Sequence, residues 1–143
     1  MKLRNLLLAA ALLLGADPVF GATTTPSLNI RLDHGSVWRT KVNQTATKGF
    51  LEIHNEGSVP DVLTAWSCPD ADSTVLIGKD GKALTRLVIP AHQTVMLAPG
   101  KIYLALSGLH FGIERGTILP CAFTFEQAGQ VGGFLNAVKP PKL

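Results

Sequence analysis

Apolar and polar residues alternate along most of this 143-residue chain. Successive side chains of a strand point to opposite faces, so a period of two is typical of strands with one buried face. Short alternating segments recur between turns rich in glycine, proline, asparagine and aspartate, and no segment has the period of an amphipathic helix. These segments are SLNIRL, VWRTK, GFLEIHN, VLTAWSC, STVLIG, ALTRLVI, QTVML, KIYLALSG, TILPCAFTFE and QVGGFLNAV. The pattern predicts one all-β domain, a sandwich or a barrel.

Turns are predicted between these segments. We interpret Asp33-His34-Gly35 as a turn that separates two strands, and His54 as a solvent-facing residue at a strand end. Asp80-Gly81 is a strong hairpin signal, because both residues tolerate the positive φ angles of tight turns.

The first 22 residues resemble a signal peptide. Lys2 and Arg4 precede an apolar stretch over residues 6–14, and small residues follow at Gly21 and Ala22. The stretch is shorter than the roughly 20 residues that a membrane-spanning helix needs. We therefore expect a cleaved leader at 1–22, a periplasmic domain at 23–143, and no membrane span after cleavage. A lipoprotein anchor is not expected, since no cysteine lies near the cleavage point.

The charge of the chain argues against nucleic acid as a partner. The formal net charge is +3, and removal of the leader with its two cations and Asp17 lowers it to +2. This charge is too small and too dispersed for a nucleic-acid interface.

Cys68 and Cys121 are the two cysteines of the chain. An exported protein with two cysteines favours one disulfide. Two free buried thiols, or a thiolate metal site, stay open as alternatives. The metal alternative is weak because the cysteines are 53 positions apart and form no Cys-x-x-Cys motif.

Motifs of known enzyme classes are absent from the sequence. It contains no GxSxG, HExxH, P-loop or dinucleotide-binding glycine pattern. Asp33 and His34 are adjacent, and neighbours on a regular strand point to opposite faces, so they do not predict a catalytic dyad. We expect a protein that is not an enzyme.

His92, Met96 and His110 are residual candidates for copper, which imidazole and thioether both suit. If His92 and Met96 share one strand, about 13 Å separates them, so they could not hold one ion together. His110 lies in a loop beside Phe111.

Several motifs, in order, resemble the PCuAC family of periplasmic copper(I) chaperones. The resemblance covers roughly residues 37–138. Its motifs are Asn55-Glu56-Gly57, Pro60-Asp61, Ile89-Pro90-Ala91, Thr94-Val95, Pro99-Gly100, Thr124-Phe125-Glu126 and Ala128-Gly129. The resemblance implies a cupredoxin-like or immunoglobulin-like antiparallel β-sandwich.

The family's Cu(I) ligands, two histidines and two methionines, are replaced in this chain. The His-x-Met of the family falls at Tyr103 and Ala105, the other methionine near Gly81, and the first histidine near Ile77. None of these side chains favours Cu(I), so we expect no cofactor at the family site. Binding of Cu(I) through His92, Met96, His110 or reduced cysteines stays open.

Two functions follow from the resemblance. The first is an exported, non-enzymatic binding protein similar to the chaperones that deliver Cu(I) for respiratory oxidase assembly, with a replaced copper site. The alternative is a metal-free periplasmic interaction module. Its protein partner would contact a patch formed by Tyr103, Ala105 and Ile77, and copper-handling or oxidase-assembly proteins are the expected partners.

Overall fold

The computed structural model describes residues 28–142, so the predicted leader at 1–22 lies outside the described residues. No helix in this range is long and apolar enough to cross a membrane. The described residues form nine strands: β1 (Ile30–Trp38), β2 (Thr47–Asn55), β3 (Asp61–Ser67), β4 (Ala71–Ile77), β5 (Leu87–Ile89), β6 (Thr94–Leu97), β7 (Tyr103–Leu109), β8 (Ile118–Phe125) and β9 (Gly129–Val138).

The strands form one curled, mixed sheet in the order β4-β7-β2-β1-β9-β8-β3-β5. The first part of β2 pairs with β7, and its later part pairs with β6. The pairs are antiparallel except that β1 and β9 run parallel. Trp66 of β3 donates its indole N–H to the Thr74 carbonyl of β4 at 3.1 Å, although β3 and β4 are far apart in the strand order. The predicted all-β sandwich is therefore confirmed.

The inward face of every long strand contributes to a single core. Alternate residues of β2 are buried, as the period of two predicts. The largest fully buried side chains are Phe123, Phe125, Ile53, Leu63, Leu76, Ile89, Leu104, Leu106, Ile113, Leu119, Leu135 and Val37.

The predicted turn at Asp33-His34-Gly35 is wrong. Strand β1 runs through these residues, and its register against β2 shifts between Asp33 and Ser36. His34 has a φ angle of 51°. A bulge of this kind re-aims a side chain without ending the strand. Gly35 permits it because a Cβ atom at this position would collide with the Phe134 carbonyl of β9.

The predicted turn at Asp80-Gly81 is present, but the hairpin that it closes is short. Gly81 has a φ angle of 81°, and its N–H bonds the Gly78 carbonyl at 2.9 Å. Beyond one bridge between Ile77 and Ala83, the chain leaves β4, and β5 pairs with β3 instead.

Cys68, directly after β3, and Cys121, within the neighbouring strand β8, form a disulfide with Cα atoms 4.2 Å apart. Both residues are buried, and neither thiol is free. In the chain-entropy model, a closed loop of this length stabilises the fold by about 4 kcal/mol.

Candidate functional site

Three of the residues predicted to occupy the family's ligand positions lie side by side on the outward face of β4 and β7. Tyr103 of β7 pairs directly with Ile77 of β4, and Ala105 follows two residues later on the same face. The intervening Leu104 and its partner Leu76 are buried in the core. The fold therefore brings three of the four predicted positions together, while Gly81 occupies the turn after β4.

Lys48 of β2 joins this face to β1. It pairs with Ala105, and its ammonium lies 4.5 Å from the centroid of the Tyr103 ring and 5.6 Å from that of Trp38. A cation over two aromatic rings is attracted to both of them. Lys48 thus contacts both Trp38 and Tyr103, and all three side chains line one cleft.

This aromatic cleft has a volume of about 950 Å³. Its surface is mainly apolar, and every charged side chain among the described residues that line it is a cation. The lining residues are Trp38, Arg39, Lys41, Gln44, Ala46, Thr47, Lys48, Tyr103, Ala105, Leu106, Ser107, Pro140, Pro141 and Lys142. The cleft therefore offers stacking surface together with positive charge.

The chemistry of the cleft does not fit Cu(I). Cu(I) takes soft sulfur donors and imidazole, and none of the described lining residues is a histidine, methionine or cysteine. The Tyr103 hydroxyl is a hard oxygen donor, and the ammonium of Lys48 beside it would repel a metal cation.

The residual copper candidates lie apart from the cleft. His92 occupies a turn before β6 with a φ angle of 58°. Met96 lies on the outward face of β6, 47% exposed and directly opposite Glu52. His110 contacts Asp72, with its Nε2 atom 2.8 Å from a carboxylate oxygen. The structure does not gather these three residues at one point.

A second group of chemically active side chains lies further along the same outward face of β2. Asp33 and His34 of β1 meet Glu52 and His54 of β2 there. The prediction of His54 as a solvent-facing turn residue is wrong, because it lies within β2 and its side chain is 18% exposed. Sequence reasoning missed this group. The available signal was the Glu52-x-His54 spacing, which places both side chains on one face.

The carboxylate of Asp33 is held in its ionised form. The backbone N–H of His34 donates to one oxygen at 2.9 Å, and the Arg31 guanidinium donates to the other at 2.8 Å. These two contacts lower the pKa of Asp33 below its usual 3.8. Arg31 also bonds Glu56 at 3.0 Å, and the two carboxylates raise the pKa of Arg31.

Comparison with known proteins finds one family model and several solved domains that match the chain. The model of the family described as putative lipoprotein LpqE-like matches residues 30–133. No curated protein matches the sequence significantly.

Among solved structures, the apo PCuAC domain from PmoF1 is 26% identical, with a TM-score of 0.72 over 78% of this chain and 95% of that one. The copper-bound PCuAC domain from PmoF2 is 20% identical, with a TM-score of 0.71 over 78% and 94% of the two chains. The Cu(I) form of DR1885 from Deinococcus radiodurans is 20% identical, with a TM-score of 0.64 over 84% and 83%. The predicted likeness to PCuAC domains is therefore confirmed.

Proposed function

The chain belongs to the LpqE-like family and is similar to PCuAC domains. We propose that it is an exported, non-enzymatic binding protein that takes part in copper handling. In this proposal it docks an acidic segment of a partner protein in the aromatic cleft and carries no Cu(I) there. Its partners are the proteins that deliver copper for respiratory oxidase assembly. The periplasm is the compartment in which these proteins would meet.

The observation that carries the proposal is that Tyr103 and Ala105, predicted to stand at the family's His-x-Met, line the wall of a cleft. Instead of an imidazole and a thioether, this wall offers an aromatic ring beside Trp38 and Lys48. Tyrosine and tryptophan are enriched among the residues that dominate binding energy at protein interfaces.

The charge of the cleft identifies the kind of partner. Arg39, Lys41, Lys48 and Lys142 contribute positive charge. An acidic segment is attracted to this charge, while a basic segment is repelled. An apolar side chain within that segment would pack against the mainly apolar lining of the cleft.

A peptide titration tests this proposal. The probe is a synthetic fluorescent peptide with one phenylalanine flanked by aspartates and glutamates, and its control carries lysines in place of the acids. We expect the acidic peptide to bind, the basic peptide to fail, and binding to weaken as salt rises. Binding of both peptides with equal affinity, or of neither, would contradict the proposal.

Two variants locate the binding to the cleft. We expect Tyr103→Ala to weaken binding about 30-fold, the effect of losing one central aromatic contact, and Lys48→Glu to abolish it. Arg86→Glu is the matched control, since Arg86 is exposed and does not line the cleft. A loss of affinity in Arg86→Glu as large as in Lys48→Glu would show that net charge alone drives the binding.

A further inference from the structure

The register between β1 and β2 gathers four potential metal ligands on one outward face. Asp33 pairs directly with Glu52, and His54 lies two residues beyond Glu52 on the same side of β2. The bulge in β1 then turns His34 toward the same point, although it is the sequence neighbour of Asp33. We refer to Asp33, His34, Glu52 and His54 as the His-carboxylate cluster.

The donor atoms of Asp33, His34 and Glu52 all lie within 4.8 Å of one another, as ligands of one ion do, and His54 Nε2 approaches both carboxylates. His34 Nδ1 lies 2.8 Å from Glu52 Oε2 and 3.5 Å from Asp33 Oδ2. His54 Nε2 lies 3.3 Å from Glu52 Oε2 and 4.0 Å from Asp33 Oδ2. Four ligands on a tetrahedral Zn(II) ion, with bonds of about 2.0–2.1 Å, lie about 3.4 Å from one another. Small side-chain movements would therefore complete the coordination.

His54 supplies an independent observation that points to a ligand. Its Nδ1 atom lies 2.7 Å from the Thr94 hydroxyl, which fixes the ring and directs Nε2 into the cluster. Nε2 is itself buried, and among the described residues it is the one buried side-chain nitrogen or oxygen without a hydrogen-bond partner. A histidine that ligates a metal characteristically engages an oxygen through its other ring nitrogen.

The charge of the cluster also favours a cation. Asp33 and Glu52 each contribute a carboxylate, while Arg31 shares its charge between Asp33 and Glu56. The described ion-pair contacts of Glu52 are with the two imidazoles. A bound divalent ion would satisfy Glu52 and the Nε2 atom of His54 together.

We propose that the His-carboxylate cluster is a binding site for one divalent transition-metal ion. Two imidazoles with two carboxylates suit Cu(II) and Zn(II), and Cu(II) binds more tightly at such nitrogen and oxygen donors. The two carboxylates favour a divalent ion over Cu(I), although Met96 lies directly opposite Glu52 on the neighbouring strand. This site is separate from the cleft, so its proposal does not rest on the proposed function.

Titration of the purified, metal-free protein with Cu(II) and with Zn(II) tests the site. We expect one ion per chain, and an electron paramagnetic resonance spectrum of the Cu(II) form that shows coupling to two imidazole nitrogens. Loss of a supporting residue around a metal weakens binding by about 10–100-fold, so loss of a ligand in His34→Gln or His54→Gln should weaken it by at least about 100-fold. His92→Gln and His110→Gln are the matched controls and should bind as the wild type does.

His34→Gln keeps the test decisive even if His54→Gln fails to fold, because the His34 side chain is 71% exposed. Circular dichroism of each variant establishes folding before titration. The proposal is overturned if neither ion binds, if the folded His34→Gln variant retains wild-type affinity, or if either control loses it. A cluster that is merely an ion-pair network would give the first of these results.

Discussion

The two ends of the outward face of β2 carry opposite chemistry. At one end Lys48 lies between Trp38 and Tyr103, in a cleft that has aromatic rings and cations but no soft metal donor among its described lining residues. At the other end Glu52 and His54 face Asp33 and His34. Only about 13 Å of strand separates Lys48 from Glu52. Phe50 lies between them, buried under Trp38 at a ring-centroid distance of 5.1 Å.

Hydrogen bonds that hold the strands together lie apart from both of these outward groups. Asp61, from the Pro-Asp motif of the family resemblance, accepts hydrogen bonds from the backbone N–H groups of Val62, Gln127 and Ala128 at 2.8, 2.8 and 2.9 Å. Asn55, from the Asn-x-Gly motif, donates to the carbonyls of Val59 and Ile89. The motifs that carry the family resemblance therefore contain residues that fix turns by hydrogen bonds to the backbone. They predict the fold but not the ligand that the fold binds.

Placing Cu(I) ligands in the cleft is the change with the largest expected effect on the contrast between the two ends. We expect the triple variant Ile77→His, Tyr103→His and Ala105→Met to bind Cu(I) where the wild type does not, since it places soft donors on one face. Competition with a chromogenic Cu(I) chelator measures the gain. The same positions changed to Leu, Phe and Val form the control. An unchanged affinity in the triple variant would mean that more than side-chain donors has been lost from the face.

A substitution at Gly35 should destabilise the bulge that turns His34 toward the cluster. A Cβ atom there would collide with the Phe134 carbonyl, so we expect Gly35→Ala to lower the free energy of unfolding by about 2 kcal/mol. Urea denaturation measures this loss. In Gly132→Ala, the control on β9, the added methyl group meets open space, and its stability should stay close to that of the wild type. Equal stability of the two variants would contradict the proposed role of Gly35.

The smallest expected effect concerns Asp33 and pH. Its lowered pKa means that the folded state favours the carboxylate, and this stabilisation is present above the usual pKa of 3.8. It is lost as pH falls below 3.8 through the pKa of the folded state. We therefore expect Asp33→Asn to unfold at slightly lower urea concentration than the wild type at pH 7, and at the same concentration in strong acid. Glu126→Gln, the same charge change at an exposed position, should show no such convergence. A constant difference at all pH values would contradict the assignment.

The sequence predicted the strands well because alternation is a local signal. It also supported the pairing of Cys68 with Cys121 and the placement of Tyr103, Ala105 and Ile77 on one face. The bulge at His34 was not predictable locally, because it depends on the register between β1 and β2 and on the approach of β9 at Gly35. The same cause hid the His-carboxylate cluster. The meeting of Trp38 with Tyr103 was hidden as well, since it requires two strands distant in sequence to flank β2.

The central claim is that the face formed by Tyr103, Ala105 and Ile77 holds no Cu(I), and a Cu(I) competition titration of the wild-type protein with its disulfide intact tests it most directly. We predict that a strong chelator retains all of the Cu(I), and that Tyr103→Ala behaves as the wild type does. Tight binding of one Cu(I) per chain, lost on Tyr103→Ala, would contradict the claim and assign a copper site to the aromatic cleft.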